Sequence, residues 1–253
     1  MQQSKRTEII LEHVKTNKHA SIQELVVLTN SSAATVRRDV NRLAETGQVF
    51  RERGGISLHR SINRQPTTAE KRTENLKVKK AIALEACNHI VDGMSVFLDA
   101  GTTSFELAVL LNKKHDLRVF TTDLKIAYYL SEENNHEVIM IGGNIDNCSQ
   151  SVIGSFSNYI LNNIIPDICF STCSAFDFFH GVTSPTQEKA LLKQKLASLG
   201  KTNILLTDSS KYNYVGTHKI ASLETYDLLI SDKELANKLP GAAEALIQLE
   251  LVS

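Results

Sequence analysis

Four short stretches of the 253-residue chain gather residue types able to hold an anionic, hydroxyl-rich ligand. The first is Asp99-Ala100-Gly101-Thr102-Thr103-Ser104. There a glycine lets the backbone approach a ligand, and hydroxyls open a helix whose free N–H groups attract negative charge. The others are Thr121-Thr122-Asp123, Gly142-Gly143-Asn144 and Thr207-Asp208-Ser209-Ser210-Lys211. Each alone also reads as an ordinary turn or helix cap. Together they assemble glycines, hydroxyls, carboxylates and the ammonium of Lys211, a set suited to a polyhydroxylated, phosphorylated molecule. Signs of catalysis are fewer. Asp99, Asp123, Glu188 and Asp208 are carboxylates that could pair as acid and base, and His180 stands beside a candidate loop. The chain has no Gly-x-Ser-x-Gly, His-x-x-x-His or phosphate-loop pattern, so no catalytic residue is assigned. Cys87, Cys148, Cys169 and Cys173 form no Cys-x-x-Cys and read as reduced thiols, with no metal site and no cofactor expected.

A different chemistry concentrates near the amino terminus. The chain has 28 Lys and Arg against 28 Asp and Glu, yet residues 1–80 hold 16 basic and 8 acidic side chains, a surplus of +8, and residues 81–253 hold 12 and 20, a deficit of −8. A basic surplus on a small segment suits a polyanion such as double-stranded DNA. After Ser31-Ser32, either of which can cap a helix, Val36, Val40, Leu43 and Ala44 fall in one arc of a helical wheel. The opposite arc carries Ala34, Thr35, Arg38, Asn41 and Arg42, with Arg37 on its flank, a face able to read base edges. Gly47 is placed to end this helix, and residues 48–58 alternate like a hairpin turning at Gly54-Gly55. Arg51 and Arg53 stand two apart on one face of that hairpin, where both can meet a phosphate or the minor groove.

These residues need elements to position them. Three short helices open the chain, the first with Ile10, Leu11 and Val14 on one face and the second with a Ser21/Glu24 capping box. Residues 59–75, with Pro66 among polar neighbours, read as a linker between domains at 1–58 and 76–253. Beyond it, strands are expected at Ser95 to Asp99, Leu117 to Thr121, Glu137 to Ile141, Asp167 to Ser171, Asn203 to Thr207 and Asp227 to Ser231. Helices are expected at Leu76 to Val91, Ser104 to Leu111, Leu124 to Leu130 and Glu188 to Leu199. Strands that are near-continuous apolar runs belong to a mainly parallel sheet covered on both faces, so the second domain is α/β. Ligands of such sheets bind beyond the carboxyl ends of the strands, where the four polar stretches lie. No apolar run reaches the roughly 20 residues that span a bilayer, and Met1 to Lys18 lacks a signal-peptide core. The expectation is a cytoplasmic protein with no membrane partner.

One pattern ties these stretches together. Thr35-Val36-Arg37-Arg38-Asp39-Val40, Leu43, Gly47, Arg51 and Gly54-Gly55 resemble the helix-turn-helix signature of DeoR-family regulators. The likeness continues through Glu70-Lys71-Arg72, Phe97 to Thr103, Gly142-Gly143, Gly154, His180-Gly181-Val182-Thr183 and Asp208-Ser209-Ser210-Lys211. The resemblance implies a winged helix-turn-helix followed by a sensor domain resembling ribose-5-phosphate isomerase and CoA transferases. It implies DNA contacts at Thr35, Arg37 and Arg38 and, in the wing, Arg51, to which the reading of the helix and hairpin adds Ser32, Asn41, Arg42 and Arg53. It also implies a phosphorylated-sugar pocket at Asp99, Gly101, Thr102, Thr103, Thr122, Gly143, Asp208 and Lys211, with Glu188 or Lys193 from the helix that begins near Gln187. Thr172-Cys173-Ser174-Ala175-Phe176 is bulkier than the glycine-containing segment common in the family and implies a narrowed or emptied pocket. The function implied is that of a repressor of a sugar-metabolism operon, a dimer or tetramer controlled by a phosphorylated sugar. The alternatives are a sugar-phosphate isomerase with an appended DNA-binding module, or an adaptor whose winged helix docks a protein.

Overall fold

The computed structural model describes residues 3–46, 48–52, 54–58, 60–133, 135–238 and 247–253. Two compact units divide the chain, Met1–Ser61 and Ile62–Ser253. The first unit runs α1 (Gln3–Asn17), β1 (His19–Ser21), α2 (Ile22–Thr29), α3 (Ala33–Glu45), β2 (Phe50–Glu52) and β3 (Gly55–Ser57). The capping box at Ser21 and Glu24 starts α2, and Asn30, in the left-handed region at φ 45°, ends it. Ser32 caps α3 by accepting the Thr35 N–H at 3.3 Å. The hairpin forms as expected, β2 pairing β3 with Arg51 opposite Ile56 and a turn at Gly54 (φ 86°). The sequence pattern gave no sign of β1, which completes an antiparallel sheet in the order β1-β3-β2. Ile10, Val14, Leu25, Val36, Val40, Leu43, Val49 and Ile56 form the core of this unit.

Inside that core lies a charge. Asp39, 1% exposed, occupies the inward arc of α3, where an apolar residue would be expected, and accepts a short charged hydrogen bond from Arg6 of α1. A buried carboxylate is tolerated only with such a partner, so the pair fixes α3 against α1 in one rotational setting.

After β4 (Arg60–Ile62), the second unit begins with α4 (Thr68–Thr73) and α5 (Leu76–Asn88). Residues 59–75, expected as a linker, thus contain two ordered elements, and α4 carries its own capping box at Thr67 and Glu70. Then follow β5 (Ser95–Leu98), α6 (Thr102–Leu110), β6 (Arg118–Thr121), α7 (Leu124–Glu133), β7 (Glu137–Met140), β8 (Asn144–Asp146), β9 (Ser151–Ile153), α8 (Ser155–Leu161) and β10 (Ile168–Thr172). The chain continues through β11 (Ala175–Asp177), β12 (Gly181–Ser184), α9 (Gln187–Leu196), β13 (Thr202–Leu206), β14 (Tyr214–Gly216), β15 (His218–Ala221), β16 (Leu228–Asp232), α10 (Glu234–Lys238) and β17 (Gln248–Val252). The six expected strands are β5, β6, β7, β10, β13 and β16, each within a residue of its expected bounds. With β17 they make a seven-stranded parallel sheet in the order β17-β16-β13-β10-β5-β6-β7.

Alternation along the strands explains their apolar runs. Val96, Leu98, Ile168 and Phe170 pack into one cluster with Ile82 and Ala86 of α5, Leu107 of α6 and Ile126 of α7. Phe97 and Cys169, one residue out of phase, enter the opposite cluster with Leu192 and Leu196 of α9. Both faces are therefore covered, as parallel sheets require. Sequence order builds outward from β5 to β7 and then returns to β10 on the other flank, so the strand order reverses between β5 and β10. The crevice beyond the carboxyl ends of strands at such a reversal is where α/β sheets bind ligands.

Leu98 is fully buried in the central strand, whereas Leu84 of α5 is 57% exposed. Leu98→Ala should cost about 2–5 kcal/mol in urea-induced unfolding of the second unit, and Leu84→Ala less than about 0.5 kcal/mol. Equal costs would show that the sheet centre is not the core.

Candidate functional site

In the first unit, α3 turns one face to solvent because Val36, Asp39, Val40 and Leu43 take the other inward. Arg37, Arg38, Asn41 and Arg42 are exposed, and Thr35 is half-buried with its hydroxyl 2.9 Å from that of Ser32. Arg51 is exposed on β2, and a groove lined by Gln23, Val27, Arg37, Asn41 and Arg51 runs between the helices and the hairpin. The fold thus gathers Ser32, Thr35, Arg37, Arg38, Asn41, Arg42 and Arg51 onto one unit, while Arg53 and Gly47 lie outside the described residues. A guanidinium-rich face on an α-helix suits a DNA major groove, which admits a helix.

In the second unit a pocket opens at the predicted crevice. Ala100, Gly101, Thr102 and Thr103 line it after β5, Thr172, Cys173 and Ser174 after β10, and Thr207, Asp208 and Lys211 after β13. Gly101 leaves α6 without a side-chain cap, and Thr102 and Thr103 of its first turn line the pocket. A Cβ at Gly101 would lie 2.8 Å from the Thr172 hydroxyl, which keeps that position glycine. Thr172, Cys173 and Ser174 line the opening, but Phe176 turns into the core against Tyr212, with ring centroids 5.5 Å apart.

Lysines dominate the lining: Lys71 from α4, Lys79 from α5, Lys189 and Lys193 from α9, and Lys211. Lys193 is bonded to Asp99, whose Oδ2 also accepts the Thr172 N–H (2.8 Å) and hydroxyl (3.0 Å). Asp99 is fully buried beneath the pocket, where it holds Lys193 and Thr172 in place. Lys189 pairs with Asp146 at 3.3 Å, and Lys211 approaches Glu74 at 3.9 Å. Lys79 donates to the carbonyls of Glu74 (2.6 Å) and Lys71. Asp208 accepts from the Asn75 amide at 3.1 Å, with Asn75 in the left-handed region at φ 51°. Burial and the charge of Lys193 lower the pKa of Lys189, and burial lowers that of Lys79. Such a crowded set of ammonium groups favours an anion.

Four of the residues implied for this pocket do not line it: Asp99, buried beneath it, and Thr122, Gly143 and Glu188. Thr122 is buried at the end of β6, its carbonyl accepting the Val152 N–H at 2.8 Å. Gly143, at φ 150°, is glycine for packing, since a Cβ there would meet the Ser157 hydroxyl at 2.5 Å and the Ile153 carbonyl at 2.6 Å. Glu188 is exposed on the first turn of α9, because Lys189 and Lys193, four residues apart, share the face turned to the pocket. Asp123, a candidate acid, caps α7 by accepting the Lys125 and Ile126 N–H groups at 2.8 and 3.2 Å, and burial raises its pKa. Sequence reasoning missed Lys71, Lys79 and Lys189 as lining residues. The spacing of Lys189 and Lys193 on a helix was a readable signal, and Lys71 stood within the Glu70-Lys71-Arg72 match to the family, whereas Lys79 on α5 gave no such signal.

The four cysteines are free, and burial pushes the Cys173 thiol up to about 11. Among the described residues one trio, Glu85, His89 and Glu250, brings potential metal-ligand atoms within 4.8 Å of one another, and none of the three lines the lysine pocket. No helix of the described residues is long and apolar enough to cross a membrane.

Comparison with known proteins assigns the two units separately. Residues 6–61 match the DeoR-like helix-turn-helix domain, and residues 74–233 match the DeoR C terminal sensor domain. An uncharacterized HTH-type transcriptional regulator of Haemophilus influenzae is 34% identical over 98% of this chain and 97% of its own length. A putative aga operon transcriptional repressor of Escherichia coli O157:H7 is 31% identical over 98% of this chain and 94% of its own. The regulator GlpR of Haloferax volcanii is 31% identical over 92% and 91%. Among solved structures, a D-ribose-5-phosphate isomerase complexed with phospho-erythronic acid is similar at a TM-score of 0.40 and 16% identity, over 54% of each chain. With regulators of transcription along nearly its whole length and a matched domain in each unit, the chain is a DNA-binding transcriptional regulator, not an enzyme, and belongs to the DeoR family.

Proposed function

We propose that the chain represses an operon of sugar metabolism and releases its operator when a phosphorylated sugar enters the lysine pocket. The observation that carries this reading is the convergence of Lys71, Lys189, Lys193 and Lys211 with the amino terminus of α6 at the strand-order reversal. Thr35, Arg37, Arg38, Asn41 and Arg42 read the major groove, with Ser32 and Arg51 on the phosphate backbone. A phosphate group sits at Gly101, Thr102 and Thr103, and the sugar hydroxyls face Ser174, Thr207 and Asp208. The working form is a homo-oligomer, dimer or tetramer, in the cytoplasm, presenting recognition helices to half-sites about 34 Å apart. The phosphorylated sugar then acts by favouring a population that cannot engage both half-sites. The relatives' names support the carbohydrate setting, one being an aga operon repressor and another an L-fucose operon activator.

In gel-shift titrations, Arg38→Ala should weaken operator binding by about 1–3 kcal/mol, and unchanged affinity would remove Arg38 from the contacts. In a thermal-shift series of phosphorylated sugars, the effector at about a hundred times its Kd should stabilise the chain by about 2.7 kcal/mol, a gain reduced by Lys211→Ala. A series in which no phosphorylated sugar stabilises the protein or lowers its operator affinity would defeat this function.

A further inference from the structure

Four of the five pocket lysines have their charge answered within the protein. Lys189, Lys193 and Lys211 face Asp146, Asp99 and Glu74, and Lys79 is held by two carbonyls. Lys71 differs. Its ammonium reaches the Ser174 hydroxyl at 3.4 Å, and among the described residues no carboxylate comes within ion-pairing distance of it. The charged groups facing it are Lys189 and Lys193 from α9 and Lys211 from the turn after β13, with the thiol of Cys148 from the segment between β8 and β9. Burial first, and then three like charges, act on this amine, and its pKa is pushed down to about 7.

We propose that Lys71, the pocket lysine that no carboxylate of the described residues pairs with, is a proton-linked anion sensor that takes up a proton when an anionic group enters. This rests on the reading of the pocket as a phosphate site and adds to it a coupled proton and a moving part. The anion supplies the opposite charge that the protein does not, so the ammonium form is favoured on binding. Lys71 stands on α4, in the segment through which the chain passes from the helix-turn-helix to the sheet. Charging it adds an ion pair between α4 and the bound anion, so the seating of α4 comes to depend on occupancy.

The sign follows from linkage. The binding-competent form is protonated, so affinity is highest below the pKa of Lys71 in the free pocket and falls as pH rises through and beyond it. Sulfate is a suitable probe because it remains a dianion across this range and contributes no proton of its own. Sulfate affinity of the full chain, measured by calorimetry, should fall about tenfold per pH unit above roughly pH 7.5, the slope for one coupled proton. Lys71→Arg, which keeps a permanent charge, should bind sulfate with little pH dependence. Wild-type affinity that stays flat between about pH 7 and 9 would overturn the inference and leave the anion pocket standing. A slope that persists in Lys71→Arg would overturn it too, by assigning the proton to another group such as Lys189. If neither sulfate nor any phosphorylated sugar bound at about pH 6.5, where the lysines are charged, the phosphate-site reading itself would fall.

Discussion

Ammonium groups gathered at one end of a parallel sheet repel one another, and the architecture of the second unit follows from how that repulsion is contained. Asp99, buried at the end of β5, anchors Lys193, and through it α9, to Thr172 at the end of β10. Asp146 does the same for Lys189 from β8, and Glu74 lies opposite Lys211. Each carboxylate thus ties a lysine to a different piece of chain. The result is a rim of fixed positive potential whose walls are cross-linked by the ion pairs that moderate it, the preorganisation an anion site requires.

The first unit uses a buried charge for a different end. Asp39 and Arg6 lock a helix whose exposed face carries four polar or basic side chains in succession around Arg38. A rotation of α3 by one residue would turn Asp39 outward and bring an arginine into the core, at a steep desolvation cost. The pair therefore specifies which face of α3 is available to DNA, whereas Val36, Val40 and Leu43 alone would tolerate some slippage.

Much of this was legible in the sequence. Strands β5, β6, β10, β13 and β16 announced themselves as apolar runs because they are buried on both faces, the half-buried edge strand β7 did so through Val138, Ile139 and Met140, and α3 did so through its amphipathic arc. Strand β17 is a half-buried edge strand, and β1 spans three residues, too few for a period to show. The polar loops after β5 and β13 could be assigned to a crevice from the rule for α/β sheets. Thr122 and Gly143 could not be excluded, since a glycine required by the nearby Ser157 looks in sequence like one required by a ligand. Lys71 escaped for the opposite reason, as it comes from a segment whose composition resembles a connector and whose order depends on distant bonds, Thr68 to the Ser149 carbonyl and Asn75 to Asp208.

The segment after β10 divides its labour within five residues. Thr172, Cys173 and Ser174 face the ligand space, while Ala175 and Phe176 are fixed in the small antiparallel sheet with β12. Substitutions at the first three positions therefore reshape the pocket without disturbing the buried pair behind them. Descendants of one ancestral regulator can change diet by drifting there, while the frame that transmits the message stays intact.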